Sequence, residues 1–313
     1  MDKVRIAYIS STGHSGSTLL DILLGSQPGF ESTGELVLLP LEYALDRKCT
    51  CGDVISKCAL WSPVLNGYVS GVGQTSEQKF KSLDLGWMPA DVQYEGLIDD
   101  TYRLRRKVSH AIRYIELKLG LSRSLFAGRR YVEGLRVTFD FYDRVAKINS
   151  PNVIINSSKS YLHAVDQYLA SPERVKIINL VRDGRAVFCS FMRHGFNREF
   201  SIDAWRNHYE RALSLFEKWV PEGDRINVRY EDLARNPAAE IKRLTQFMGQ
   251  EFNEASVSLD AKVHHNVNGN DARFGTNRLI RLDERWRRDL TVEDLAFFYA
   301  RAGDLNRRLG YSD

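Results

Sequence analysis

The chain has 313 residues, 43% of them hydrophobic, which is enough apolar material for one large domain or two small ones. Lys plus Arg number 44 against 40 Asp plus Glu, and the resulting +4 is too small and too evenly spread for a nucleic-acid-binding surface. No run reaches the length of a membrane-spanning helix and "MDKVRIAYIS" lacks the apolar stretch of a secretion signal, so a cytoplasmic location is expected.

The first predicted element is a short β-branched run, Val4 to Ile9, of the kind buried inside a parallel sheet. "TGHSGST" follows, and then an apolar helix carrying Leu19, Leu20, Ile22, Leu23 and Leu24 that ends near Gly25 and Pro28. A small-residue turn between a buried strand and a helix suits an anion. The amides of Ser15, Gly16, Ser17 and Thr18 point out of the helix N-terminus, and Gly13 and Gly16 allow close approach. A triphosphate-hydrolysing loop would carry lysine after its second glycine, where this chain has Ser17. Magnesium-assisted transfer from a nucleoside triphosphate is therefore disfavoured.

Glu35 follows Gly34 in "STGELVLLP", where the chain returns toward the loop. Cys49, Cys51 and Cys58 crowd into "CTCGDVISKC", while Cys189 sits in an apolar segment. A zinc site would need a fourth ligand from elsewhere, and C-x-C is not the usual spacing. Reduced structural thiols are the preferred reading, with a disulfide or a metal as alternatives. His163, His194, His208, His264 and His265 show no metal-ligand or triad spacing and are read as structural. Residues from about 36 to 150 have helical apolar spacing, as in "LIDDTYRLRRKVSHAIRYIELKLG" and "RRYVEGLRVTFDFYDRVAKI", and are expected to form a mostly helical insertion. Its basic run "RLRRK", like the later "RWRRD", reads as a solvated helix face, and Trp61 and Trp87 as core.

Two further strand–turn–helix units follow, "NVIINSSKSYLHAVDQYLA" and "VKIINLVRDGRAVFCSFMRHG". Strands alternating with helices imply right-handed crossovers and a parallel sheet, with ligands beyond the carboxyl ends of the strands. All three turns then face one crevice. The tail adds a helix around "SIDAWRNHYERALSLFEKWV", a strand "RINVRY", a helix "PAAEIKRLTQFMG" and a closing helix "TVEDLAFFYARAGDLNRRLG". With no repeat or linker in view, a single α/β domain over residues 1–313 is expected: a three-layer, P-loop-like fold with a central parallel sheet flanked by helices and the insertion at about 36–150.

Arg182 at a strand end with Ser190 eight residues on, together with the serine-rich loop, resembles the nucleotide-binding motifs of sulfotransferases that use 3′-phosphoadenosine 5′-phosphosulfate, PAPS. The resemblance implies that Ser15 to Leu19 contact the 5′ side of the nucleotide and that Arg182 and Ser190 hold the 3′-phosphate. A forked guanidinium and a short hydroxyl suit that task. "VRYEDLARNPAAEIKRLTQFMG" is similar to the family's later strand, turn and helix, which makes Tyr230 the candidate beside adenine, with an ordinary packed tyrosine as the alternative. "HHNVNGNDARF" is similar to the family's closing basic loop, with Gly269 and Asn270 forming the turn and Arg273 reaching the 3′-phosphate.

The same resemblance casts Glu35 as the base, as in the protein-tyrosine and heparan sulfotransferases; a helix-capping or ion-paired glutamate is the alternative. Where most members carry Lys or Arg before Ser-Gly-Thr, this chain has His14, a less dependable positive charge, and Lys159 in "NSSKS" is the substitute or partner. The expected reaction moves a sulfuryl group from PAPS to an acceptor alcohol on a small molecule, lipid, saccharide or peptide. It releases 3′,5′-adenosine bisphosphate and requires no metal. An atypical P-loop kinase and a catalytically inactive nucleotide-binding interaction protein are the alternatives. The acceptor and the oligomeric state are not legible.

Overall fold

The structure, a computed structural model, describes residues 3–69, 75–83, 85, 97, 100–269 and 279–312. Five strands form one sheet, β1 (Arg5–Ser10), β2 (Phe30–Ser32), β3 (Val153–Lys159), β4 (Val175–Val181) and β5 (Arg225–Arg229), in the order β2-β3-β1-β4-β5. Every pairing is parallel. β1 is central, paired to β3 through Ile6 and Ile154 and to β4 through Ile6 and Val175. The sequence units predicted four of these strands. β2 escapes because it has only three residues, "FES", with a charged one in the middle.

Alternation along β1 shows why the sheet is covered on both faces. Ile6 and Tyr8 pack with the inserted helices, through residues such as Leu39, Trp61, Phe141 and Tyr142. Ala7 and Ile9 point the other way, onto Leu20, Leu23 and Leu24 of the Ser17–Gly25 helix and onto Ile241 and Leu244 of the Pro237–Phe247 helix. An unbroken apolar run, Ile6 to Ile9, is the pattern expected of a sheet buried between two helical layers. The third apolar cluster joins the Gly184–Arg193, Arg198–Trp219 and Val292–Arg308 helices through Phe188, Trp205 and Phe298.

Between β2 and β3 the described secondary structure is almost wholly helical, including Asp100–Lys118 and Arg129–Asn149, as the apolar spacing predicts. The reading of "RLRRK" as a solvated face needs correction. Arg106 is buried, with its guanidinium over the ring of Tyr102 and donating to that hydroxyl at 2.9 Å. Aromatic stacking lets a guanidinium leave water at low cost, which a charge pattern alone does not reveal. Among the described residues, no helix is long and apolar enough to cross a membrane.

Candidate functional site

The turns after β1, β3 and β4 meet at the carboxyl end of the sheet because those three strands are neighbours. After β1 the chain passes through Ser11 to Gly16 and enters its helix at Ser17. Gly16 has φ +88, and a Cβ built there would come within 2.4 Å of the Tyr230 ring. A side chain is excluded on both counts, so the loop lies tight on Tyr230. The Ser15 hydroxyl is fully buried, 2.7 Å from Thr12 Oγ1 and 3.4 Å from the Tyr209 hydroxyl. It braces the loop from inside, so that hydroxyl is already engaged within the protein.

β3 carries one residue more than β1 across a bulge: Tyr8 pairs with Asn156, but Ser10 pairs with Lys159. Bulges re-aim side chains, and Lys159 emerges with φ +68. The bulge is held by Asn156 Oδ1, which accepts from Ser158 N–H at 2.9 Å and from Ser158 Oγ at 2.5 Å. Ser158 Oγ in turn accepts from Val37 N–H at 3.1 Å, two residues past Glu35. Asn156 itself donates to the Tyr142 hydroxyl, and Tyr142 to Gln167, so the re-aimed lysine stands on a buried polar network.

Lys159 Nζ lies 2.5 Å from Glu35 Oε1, with both side chains mostly buried. Its carbonyl accepts from Ser11 N–H and Ser10 Oγ, both at 3.1 Å, which fixes the pair beside the loop. Glu35 is placed by its own backbone, whose N–H donates to Val267 O at 2.8 Å. Gly34 makes that approach possible: with φ +68, a Cβ there would lie 2.5 Å from Val267 O. Beneath Glu35, the buried Asp21 carboxylate accepts from Ser157 Oγ at 2.5 Å and from Ser32 Oγ. Burial, with an added contribution from Glu35, raises the Asp21 pKa to about 7.

Arg182 sits at the end of β4, buried, and reaches across to the loop. One Nη donates to His14 O at 2.8 Å, and the other lies 3.0 Å from Asp283 O and 3.1 Å from the Asp283 carboxylate. Its guanidinium carbon is 4.3 Å from the Tyr230 ring centroid. Tyr230 is buried, with its hydroxyl donating to Arg281 O and accepting from Asp283 N–H, both at 3.3 Å. Arg182 Nε is buried with no hydrogen-bond partner among the described residues. Arg285, followed by Arg182, holds the Asp283 carboxyl well below the usual carboxylate range.

His14, with φ +61, packs its ring against Phe191 at 4.8 Å and His194 at 4.4 Å. Burial first, and then His194, Lys159 and Arg182, lower its pKa to about 4. Near neutral pH it is an uncharged ring, which leaves it as a neutral hydrogen-bonding group beside the loop. Ser190 is half-buried, one residue before Phe191 on the Gly184–Arg193 helix, and its carbonyl accepts from His194 Nδ1 at 2.7 Å. Gly13 lies against Phe191, Ser17 is buried, and Thr18 and Leu19 are half-buried in the first turn of their helix. Gly269 follows the strap that passes Glu35, whereas Asn270, Arg273 and Trp87 lie outside the described residues.

Sequence reasoning missed Asp283, Asp21 and the Val267 strap, none of which carries a local motif. It also read the histidines as lacking a metal-ligand arrangement. That needs correction for His265, which lies beside Cys49, Cys51 and Cys58. A histidine 207 positions from Cys58, its neighbour in the fold, is invisible to spacing.

A family model described as "Sulfotransferase family" matches residues 85–254, more than half of the chain. The match takes in Lys159, Arg182, Ser190 and Tyr230, while the first loop and Glu35 precede it. No curated protein matches the sequence. Among solved structures, the sulfotransferase domain from the curacin biosynthetic pathway is 19% identical with a TM-score of 0.50, covering 97% of this chain and 98% of that one. The sulfotransferase domain of the Synechococcus PCC 7002 olefin synthase is 20% identical with a TM-score of 0.49, covering 100% and 97%. Sulfotransferase STF9 from Mycobacterium avium is 15% identical with a TM-score of 0.49, covering 97% and 77%. At these identities the likeness to the curacin-pathway domain concerns the fold.

Proposed function

The chain belongs to the sulfotransferase family, and from that premise we propose that it transfers a sulfuryl group from PAPS to an acceptor hydroxyl, releasing 3′,5′-adenosine bisphosphate. One observation carries the reading. Two cationic residues flank a single loop: the Lys159 carbonyl accepts from Ser10 and Ser11 at its start, with Nζ on Glu35, and Arg182 donates to the carbonyl of His14. Two separate cations beside one loop suit a nucleotide with anionic groups at both its 5′ and 3′ positions. The unsatisfied Arg182 Nε gives the 3′-phosphate a buried donor.

PAPS supplies a sulfuryl group bonded to a phosphate that can leave as an anion. Glu35, as a carboxylate, takes the acceptor's hydroxyl proton as the acceptor oxygen bonds to sulfur. The bridging sulfur–oxygen bond breaks with its electron pair going to the phosphate oxygen, where Lys159 and the amides of Ser15 to Thr18 stabilise the charge. Lys159 thus serves both steps: it holds Glu35 in place and supplies the positive charge that His14 lacks. Tyr230 orients Arg182 through its ring, and the Ser190 hydroxyl assists at the 3′-phosphate. An alcohol of a small molecule, lipid, saccharide or peptide is the acceptor class.

The test is transfer of ³⁵S from labelled PAPS to a panel of phenols, sugars, lipid alcohols and tyrosine peptides. Glu35→Gln should lower kcat by about 10²–10⁴-fold while calorimetric affinity for the bisphosphate stays within a factor of about two. Full turnover by that variant would remove the base assignment. Magnesium-dependent ATP consumption with no response to PAPS would replace the proposal with a kinase.

A further inference from the structure

We propose that Cys49, Cys51, Cys58 and His265 bind one zinc ion in a closed four-ligand site that staples the inserted segment to the strap behind Glu35. All four residues present a ligand atom within 4.8 Å of one another. Cys58 Sγ is 3.6 Å from Cys49 Sγ, 3.7 Å from Cys51 Sγ and 3.2 Å from His265 Nδ1. A tetrahedral zinc with Zn–S near 2.3 Å and Zn–N near 2.05 Å places its ligands about 3.8 Å apart for two sulfurs and about 3.5 Å for sulfur and nitrogen. The three edges from Cys58 are those of such a tetrahedron within a few tenths of an ångström, and the remaining separations are at most 4.8 Å. They are far from the 2.03–2.05 Å of a disulfide, and all four cysteines of the chain are free.

Three thiolates and an imidazole form a donor set suited to zinc, and four protein ligands leave no position open for a substrate, so the site is structural. The surroundings fix the ligands before any ion arrives. Cys49 N–H donates to Asp53 O at 2.8 Å and Gly52 N–H to Cys49 O at 2.9 Å, closing the turn that carries the first two thiols. The carbonyl of His265 accepts from Trp61 Nε1 at 2.7 Å, and that of Asn266 accepts from both Thr50 N–H and Thr50 Oγ1. These bonds set the histidine's backbone against the cysteine turn from two sides. Cys49 and Cys58 are buried, while Cys51 and His265 are half-buried, which leaves a path for the ion.

The consequence lies two residues onward. Val267 donates to Thr33 O at 3.0 Å and accepts from Glu35 N–H, so a pinned His265 holds the strap that positions Glu35. That link to catalysis rests on the proposed function, but the metal site does not.

The test uses the full-length chain purified under reducing conditions. Elemental analysis should find one zinc per chain that survives dialysis and is released by p-hydroxymercuribenzoate. Cobalt reconstitution should give thiolate-to-cobalt charge-transfer bands and the intense visible bands of a tetrahedral ion. Cys51→Ser, at the rim of the cluster, should weaken zinc affinity at least about tenfold, and His265→Ala should change the cobalt spectrum. A folded, reduced chain that purifies without metal and gives no thiolate–cobalt bands would overturn the proposal, as would a disulfide among the three cysteines in the freshly isolated protein. If a variant does not fold, the cobalt spectrum of the wild type decides. None of these readings involves sulfuryl transfer, so failure here and failure of the proposed function are separate results.

Discussion

Removing the Arg182 guanidinium separates a phosphate-binding role from a structural one. The side chain is buried, spans the gap from the end of β4 to His14 O, and is paired with the Asp283 carboxylate at 3.1 Å. A hydrogen bond from a charged group contributes about 1.5–3 kcal/mol when its partner is available. Two such bonds to a 3′-phosphate are offset by loss of the existing contact with Asp283, which leaves a net gain of at least about 2 kcal/mol. Arg182→Ala also deprives His14 O of a donor and loosens the loop, so absolute affinity alone is uninformative. The assay is therefore a cycle: calorimetric Kd values for 3′,5′-adenosine bisphosphate and for 5′-AMP, in wild type and variant. The preference for the bisphosphate should fall by at least about 30-fold in Arg182→Ala. If both nucleotides weaken by the same factor, Arg182 only supports the loop and the 3′-phosphate assignment is wrong. The competing carboxylate provides an internal control. Asp283→Asn relieves a partly exposed ion pair worth about 0.5–1 kcal/mol, so bisphosphate binding should tighten about two- to fivefold with 5′-AMP unchanged.

Gly16→Ala places a Cβ 2.4 Å from the Tyr230 ring at a φ of +88. The backbone term alone costs about 1–2 kcal/mol, so thermal unfolding should drop by several degrees and nucleotide affinity by about tenfold or more; an unchanged affinity would show that the loop does not depend on its seat against Tyr230. Asp21 carries a pH signature. With a folded-state pKa raised from 3.8 to about 7, the native chain keeps a proton that the unfolded chain releases, so this group lowers stability as pH rises from about 4 to 7. Between pH 5 and pH 8 the loss is about 2–3 kcal/mol, and Asp21→Asn should remove it in urea unfolding at the two pH values. Parallel pH slopes for the two proteins would mean that Asp21 ionises without penalty.

Much of the scaffold was legible because it is written in short-range patterns. The run from Val4 to Ile9, the helix behind "TGHSGST" and the two later strand–turn–helix units all appear where their spacing places them. So does the helical character of the described part of the insertion. The turn before the first helix was legible for the same reason, since Gly16 and the helix N-terminus are local features. His14 shows where that reading stopped. Its residue type suggested a possible charge, but burial and the ring of His194 make it neutral near pH 7. Arg106 shows the same limit from the other side, as a basic run concealed one buried cation.

What the amino-acid order determined by itself is therefore the succession of buried strands and capped helices and the placement of small residues where the chain must turn tightly. Those outcomes depend on neighbours within a few positions. Only the tertiary structure decided that Glu35 faces Lys159, that Asp283 rests on Arg182, and that His265 joins three cysteines more than two hundred positions earlier. Each of these depends on which strands lie side by side and how far a bulge turns a side chain. Charge and coordination act through distance in space, and distance along the chain does not encode it.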